Sequence, residues 1–190
     1  YTCLTQPAII QINPGTSPKC GMALEPMMPS LDEEVNPELV DFSHRFWWTL
    51  PLSVVVLAIA MLGHRIDGLS ATSLTWLEFA LATPVVVWAG WPFFVRCVQS
   101  LRTRHLNMFT LIGIGVFAAY GYSVIGTVFP EIFPASFQEH GRIGVYFEAA
   151  AVIVSLTLLG QVLELKARSK TSAAIKALLN LAPKTARRIN

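Results

Sequence analysis

Four long apolar runs divide the chain, with polar, proline-containing stretches between them. The last begins at Val145 and reads VYFEAAAVIVSLTLLGQVLELKARSKTSAAIKALLN up to Asn180. Between Val145 and Leu163 its only formal charge is Glu148. That is close to the roughly 20 residues a helix needs to cross a bilayer core. Glu164 closes the apolar part, and Lys166, Arg168, Lys170 and Lys176 follow. The pattern predicts a membrane helix that continues as a basic, soluble one. At a rise of about 1.5 Å per residue, Glu148 and Glu164 stand roughly 24 Å apart along its axis. Steps of about 100° leave the two side chains roughly 160° apart around it, so they do not share one stripe. An acid inside or at the edge of a span is costly, which makes both of them candidate functional residues.

The first run, from about Phe46 to Gly63, predicts a span whose Trp47 and Trp48 fit an interfacial aromatic belt beside Arg45. Pro51 falls in its first turns, where proline is tolerated. The second run, about Leu74 to Gly90, holds Glu78 one turn inside, an expected interface position, and Pro84 as a possible bend. Gly90 followed by Pro92 predicts a break or kink. Phe93 to His105 alternates Phe93, Phe94, Val95, Val98 and Leu101 with Arg96, Gln99, Arg102 and Arg104. That pattern predicts a short amphipathic helix in the interface plane, its basic face toward headgroups or a partner. The third run, about Leu106 to Phe129, carries Gly113, Gly115, Gly121 and Gly126, which favour close helix approach. Pro130 to Arg142 reads as a loop.

Before the first run the chain changes character. Residues 1–45 are polar and proline-rich, ending in an acidic linker, LDEEVNPELVD, from Leu31 to Asp41. The expected fold is an all-α membrane protein: four transmembrane helices, a kinked second helix and an irregular N-terminal segment. The expected divisions are 1–30, a linker 31–45, two helices with the amphipathic platform 46–105, two further helices 106–165, and a helical extension 166–190.

Composition agrees. Apolar residues make up 53% of the 190 and charged residues only 14%, about half the usual charged share. Cys3, Cys20 and Cys97 do not make a disulfide framework, and Cys97 reads as a packed thiol. No secretory signal pattern opens the chain, which starts with Tyr1, and it reads as a piece of a longer protein. The positive-inside rule favours both ends in the cytosol. That orientation leaves only Arg65 and Arg142 outside, with the other Lys and Arg inside. Glu148 is then near the outer face and Glu164 near the inner one. Met108 begins the third span on the inner side, so Met108 and Glu164 can share a cytosolic mouth.

Several stretches together resemble a known family: YTC with CGMALEP, WAGWPFF, LNMFTLIGIGVFAAYGYSV, and YFEAAAVIVSLTLLGQVLELKARSKTSAAIKALLNLAPKTARRI. They are similar to the N-terminal part of heavy-metal P-type ATPases, in particular the bacterial copper- and silver-exporting group. The resemblance is most specific from Leu106 to Ile189 and weakest over the first 45 residues. It implies an ATP-driven exporter in the cell (inner) membrane with Cu⁺ or Ag⁺ as the transported ion. Mg²⁺ and ATP would act in domains outside this chain, since neither the phosphorylated Asp-Lys-Thr-Gly motif nor the Cys-Pro-Cys transport site occurs here. Met108 and Glu164 match groups that receive the ion at the cytosolic face, and Glu148 matches a carboxylate of the exit route. Gly90 matches the second glycine of the family's double-glycine kink, with Ala89 in place of the first. Arg96, Arg102 and Arg104 match a platform for a copper chaperone. The implied partners are the bilayer, that chaperone and the remaining ATPase domains, with no nucleic acid.

Donor chemistry is compatible: a thioether suits a soft monovalent ion, and a mixed Met and Glu site binds weakly enough to pass it on. The N-terminal segment departs from the family pattern. Cys3-Leu4-Thr5-Gln6-Pro7 stands for Cys-Pro-Met-His-Pro, and Ser17-Pro18-Lys19-Cys20-Gly21-Met22 stands for Cys-Pro-x-Cys-Gly-Met. Cys3, Cys20 and Met22 are left as candidate metal donors. Simpler readings stay open. Glu148 reads equally as an interfacial acid favoured by the helix dipole, Glu164 as a membrane-edge acid, Met108 as an ordinary apolar residue, and the arginines as contacts to anionic lipid. A zinc or cobalt exporter of the same architecture and a non-catalytic four-helix scaffold are the alternative functions.

Overall fold

The computed structural model describes residues 1–3, 6–13, 15, 17–18, 24, 36–62, 70–134, 138–139 and 142–180. Two short strands, β1 (Thr2–Cys3) and β2 (Gln6–Ile10), pair antiparallel near the start, where the sequence suggests only irregular chain. Among the described residues five α-helices follow: α1 (Pro37–Leu62), α2 (Ala71–Thr83), α3 (Trp91–Thr103), α4 (Met108–Val128) and α5 (Phe147–Asn180). A second antiparallel pair, β3 (Gln138–Glu139) and β4 (Arg142–Ile143), lies between α4 and α5.

Among the described residues, four helices are long and apolar enough to cross a membrane: Pro37–Leu62, Thr72–Ala89, Met108–Val128 and Phe147–Lys170. Their outward surfaces support that assignment. Leu111 and Phe117 on α4 are 77% and 71% exposed, and Trp47, Trp48 and Met61 on α1 are exposed too. So much apolar surface is a liability in water and is satisfied by lipid.

α1 begins at Pro37, well before the expected Phe46. The Asn36 side chain accepts a 2.9 Å bond from the backbone N–H of Glu38, and Pro37 occupies the first turn, where its missing N–H costs nothing. The Asp41–Arg45 ion pair at 2.8 Å extends the helix through half of the acidic stretch.

α5 is the central element. Phe147, Ala151, Val154, Leu158, Val162 and Leu165 form a buried stripe at spacings of three or four residues. The stripe packs against α1, α2 and α4, with α1 as its most extensive neighbour. Ser53 and Ser155 join their hydroxyls at 2.7 Å inside the α1–α5 contact.

The second span widens before it breaks. From Pro84 to Ala89 the helix is π-helical, with the Gly90 N–H donating to the Val85 carbonyl at 3.1 Å. The expected kink is there. Gly90 has φ −75°, an ordinary value, so glycine is required by space: a Cβ would stand 2.4 Å from the Val86 carbonyl oxygen.

α3 turns its small and polar face inward. Phe93, Arg96, Cys97 and Ser100 are buried, whereas Val95, Val98 and Leu101 are exposed. The inward polar groups find partners on α4: Ser100 bonds the Thr110 hydroxyl, and Cys97 donates to the Thr110 carbonyl at 3.6 Å. Of the four glycines of α4, Gly113 and Gly126 sit against side chains, whereas Gly115 and Gly121 have open space at the Cβ position. Close approach therefore rests on two of the expected four. Glu78, expected at an interface, is 2% exposed.

Candidate ion-path site

Met108 is the first residue of α4, and its position is set by a capping box. The Asn107 side chain accepts from the Thr110 N–H at 3.2 Å, and the Asn107 N–H donates to the Thr110 hydroxyl at 3.1 Å. The reciprocal bonds fix the first turn, and the Met108 thioether projects from it, 54% exposed. Glu164 comes from α5, where Gln161 donates to its Oε2 at 3.0 Å and Arg168 to its Oε1 at 2.5 Å. The two side chains line one cavity of about 280 Å³. Glu38, Arg96, Asn107, Gln161 and Arg168 complete its polar lining, and Phe109 and Leu165 form part of its apolar wall.

The cavity therefore offers one soft donor, two carboxylates and two guanidinium groups. Arg168 is paired with Glu164, and Arg96 with Glu38. Among the described residues no three His, Cys, Asp or Glu gather as a metal site. Such a lining suits brief, weak engagement of a cation rather than permanent coordination.

Arg96 departs from the expected basic platform. It is 7% exposed, with its guanidinium 5.3 Å from the Phe42 ring centre and 4.9 Å from that of Phe109. Helical geometry explains it: six residues separate Arg96 from Arg102, placing them roughly 120° apart around the axis. Arg102 and Arg104 are exposed, and Arg104 ends α3 in the left-handed conformation at φ 56°. The open basic face is thus made by Arg102 and Arg104.

Glu148 is half-buried in the first turn of α5 and does not line this cavity. Its neighbour Phe147 packs against Phe79 and Tyr120, with ring centres 5.6 and 5.8 Å away. Gly90 also lies off the cavity. Cys3 is buried against Leu24, Tyr1 and Ile9. Cys20 and Met22 lie outside the described residues.

No family model matches the chain. Curated relatives match all of it. A silver exporting P-type ATPase of Salmonella typhimurium is 53% identical over 195 residues, which is 100% of this chain and 24% of that protein. A copper-transporting P-type ATPase of Rhizobium leguminosarum bv. viciae is 55% identical, again over 100% of this chain and 23% of its own length. A copper-exporting P-type ATPase of Legionella pneumophila is 51% identical over 100% of this chain and 26% of its own. Over its full length the chain matches a segment of the copper- and silver-exporting P-type ATPases. It spans about a quarter of the length of these relatives.

Two cavity residues of this P-type ATPase segment escape a reading of sequence. Glu38 looks like one more acid of a linker, and only the Asn36-Pro37 helix start signals that it sits on a folded element. Gln161 precedes Glu164 by three residues on the same helix, a spacing at which side chains meet, so it was within reach of the pattern.

Proposed function

We propose that this chain is membrane machinery of an ATP-driven exporter of monovalent copper or silver. Met108 and Glu164 take the ion from the cytosolic side, and Glu148 serves its release at the opposite face. The observation that carries this is the shared cavity, which Met108 of α4 and Glu164 of α5 both line. A lone carboxylate favours hard cations, and the sulfur shifts the preference to soft ones. The names of the relatives agree with that preference.

Both ends of the chain lie in the cytosol, as the Lys and Arg distribution favours. ATP and Mg²⁺ act in domains of the whole ATPase beyond this segment. A copper chaperone docks on the exposed Arg102 and Arg104, where a complementary acidic surface would speed encounter. The N-terminal donors Cys3, Cys20 and Met22 hold metal before transfer.

The test is ATPase activity of the complete protein in lipid, titrated with Cu⁺, Ag⁺, Zn²⁺ and Co²⁺. Stimulation by Cu⁺ and Ag⁺ alone is expected. Stimulation by Zn²⁺ or Co²⁺ would overturn the ion choice, and no stimulation by any metal would leave a non-catalytic membrane scaffold.

A further inference from the structure

We propose that Glu38 sets the ion affinity of the mouth by neutralising Arg96, a positioning role exercised through that arginine. The inference deepens the function proposed above and rests on it, because it takes the cavity of Met108 and Glu164 as the place of ion uptake. Arg96 is the anomaly that prompts it. A guanidinium stays charged at any working pH, yet here it is buried in the wall of a site that would receive a cation. Its neighbour Phe109 directly follows Met108 in the chain, and its Cζ stands 4.9 Å from that ring. Left uncompensated, such a charge repels an incoming monovalent ion and offers Glu164 a competing partner. Burial strengthens both effects, because a low dielectric screens little.

Glu38 meets this charge. It reaches Arg96 from α1 across a separation of 58 residues, and both side chains line the cavity. The Asn36 cap and Pro37 fix the helical turn that carries it. Phe42, one turn further along α1, lies under the same guanidinium and contacts Phe93, whose ring stacks on Phe109. The arginine is thus held between rings with its charge met by Glu38. Glu164 is left for the ion, with Arg168 as the partner the ion displaces at the more solvent-accessible rim.

The test is a cycle in the complete ATPase, reading the free Cu⁺ concentration for half-maximal activation, the maximal turnover and the thermal unfolding midpoint. Glu38→Gln should raise the half-activating concentration about tenfold. Arg96→Met, which keeps much of the volume and removes the charge, should lower it. Glu38→Gln combined with Arg96→Met should return it close to wild type. Opposite signs for the single changes, with recovery in the pair, are not produced by a merely structural role, which would lower turnover and midpoint in all three. If the double variant stays as weak as Glu38→Gln, Glu38 is a direct ligand and the proposal fails. Uniform loss of turnover with an unchanged half-activating concentration also overturns it. Where Glu38→Gln does not fold, Glu38→Asp serves, with a smaller rise expected and no rise counting against the idea. Met108→Leu and Glu164→Gln run alongside. If neither shifts the half-activating concentration, uptake elsewhere is shown, and the functional reading itself falls irrespective of the Glu38 results.

Discussion

Gly113 of α4 makes room for Cys97 of α3: a Cβ at Gly113 would lie 2.6 Å from the Cys97 Cβ and 2.7 Å from its Sγ. The contact holds the amphipathic helix against the bundle just past the kink. Gly113→Ala should therefore cost about 1–3 kcal/mol, as overpacking does. Thermal unfolding in detergent measures this. Cys97→Ala should relieve it little, because the closer clash is with the Cβ.

At the kink the obstruction is backbone. Gly90→Ala places a methyl 2.4 Å from the Val86 carbonyl oxygen, which no rotamer change relieves. The wide turn from Pro84 to Ala89 has to shift and carry α3 with it. The expected outcome is a several-fold fall in metal-stimulated turnover of the whole ATPase together with a lower unfolding midpoint. Unchanged turnover would show that the direction of α3 does not matter to transport.

The buried hydroxyl pair of Ser53 and Ser155 ties α1 to α5. Replacing one partner by Ala leaves the other buried without it, at about 1–3 kcal/mol. Replacing both should cost less than the sum of the single changes. A double-mutant cycle reads this coupling directly.

Burial pushes the Cys97 thiol above its ordinary value of 9.0, only partly opposed by a backbone hydrogen bond from Ile114. The sign follows from linkage. The neutral thiol is favoured in the folded protein, so its stabilising contribution is complete below the ordinary value and is lost as pH rises through the elevated one. Alkylation of Cys97 in the folded chain should stay slow at pH 8 and quicken only well above 9. Rapid labelling at neutral pH would show a reactive thiolate and a different role for this residue.

At the mouth, Met108→Leu keeps the apolar bulk and removes the sulfur. It should raise the half-activating Cu⁺ concentration about tenfold or more while leaving the unfolding midpoint close to wild type. Glu164→Ala should do the same and, in addition, release Arg168 from its ion pair. Equal activation curves for wild type and both variants would remove Met108 and Glu164 from the ion path.

Much of this protein is legible along the chain. Four spans follow from four apolar runs, because a bilayer demands about 20 apolar residues and satisfies no backbone polar group from outside. The kink follows from Gly90 and Pro92, and the candidate pair Met108 and Glu164 follows from motif and charge bias. Helix starts were harder. The Asn36-Pro37 cap is present in the sequence, but the acidic composition of residues 31–41 reads as a linker.

What the sequence by itself determined is the number of spans, the break after the second, and which ends carry positive charge, all of which depend on local pattern and on the thickness of a membrane. Only the tertiary structure decided where Arg96 points and what answers it. Its place among Arg102 and Arg104 in the chain suggests one basic face, yet α3 packs its small and polar side on α4 because its exposed Val95, Val98 and Leu101 suit lipid. That packing buries Arg96, and a buried charge needs a partner. The partner, Glu38, comes from 58 residues away, at a distance along the chain where no local periodicity carries the signal.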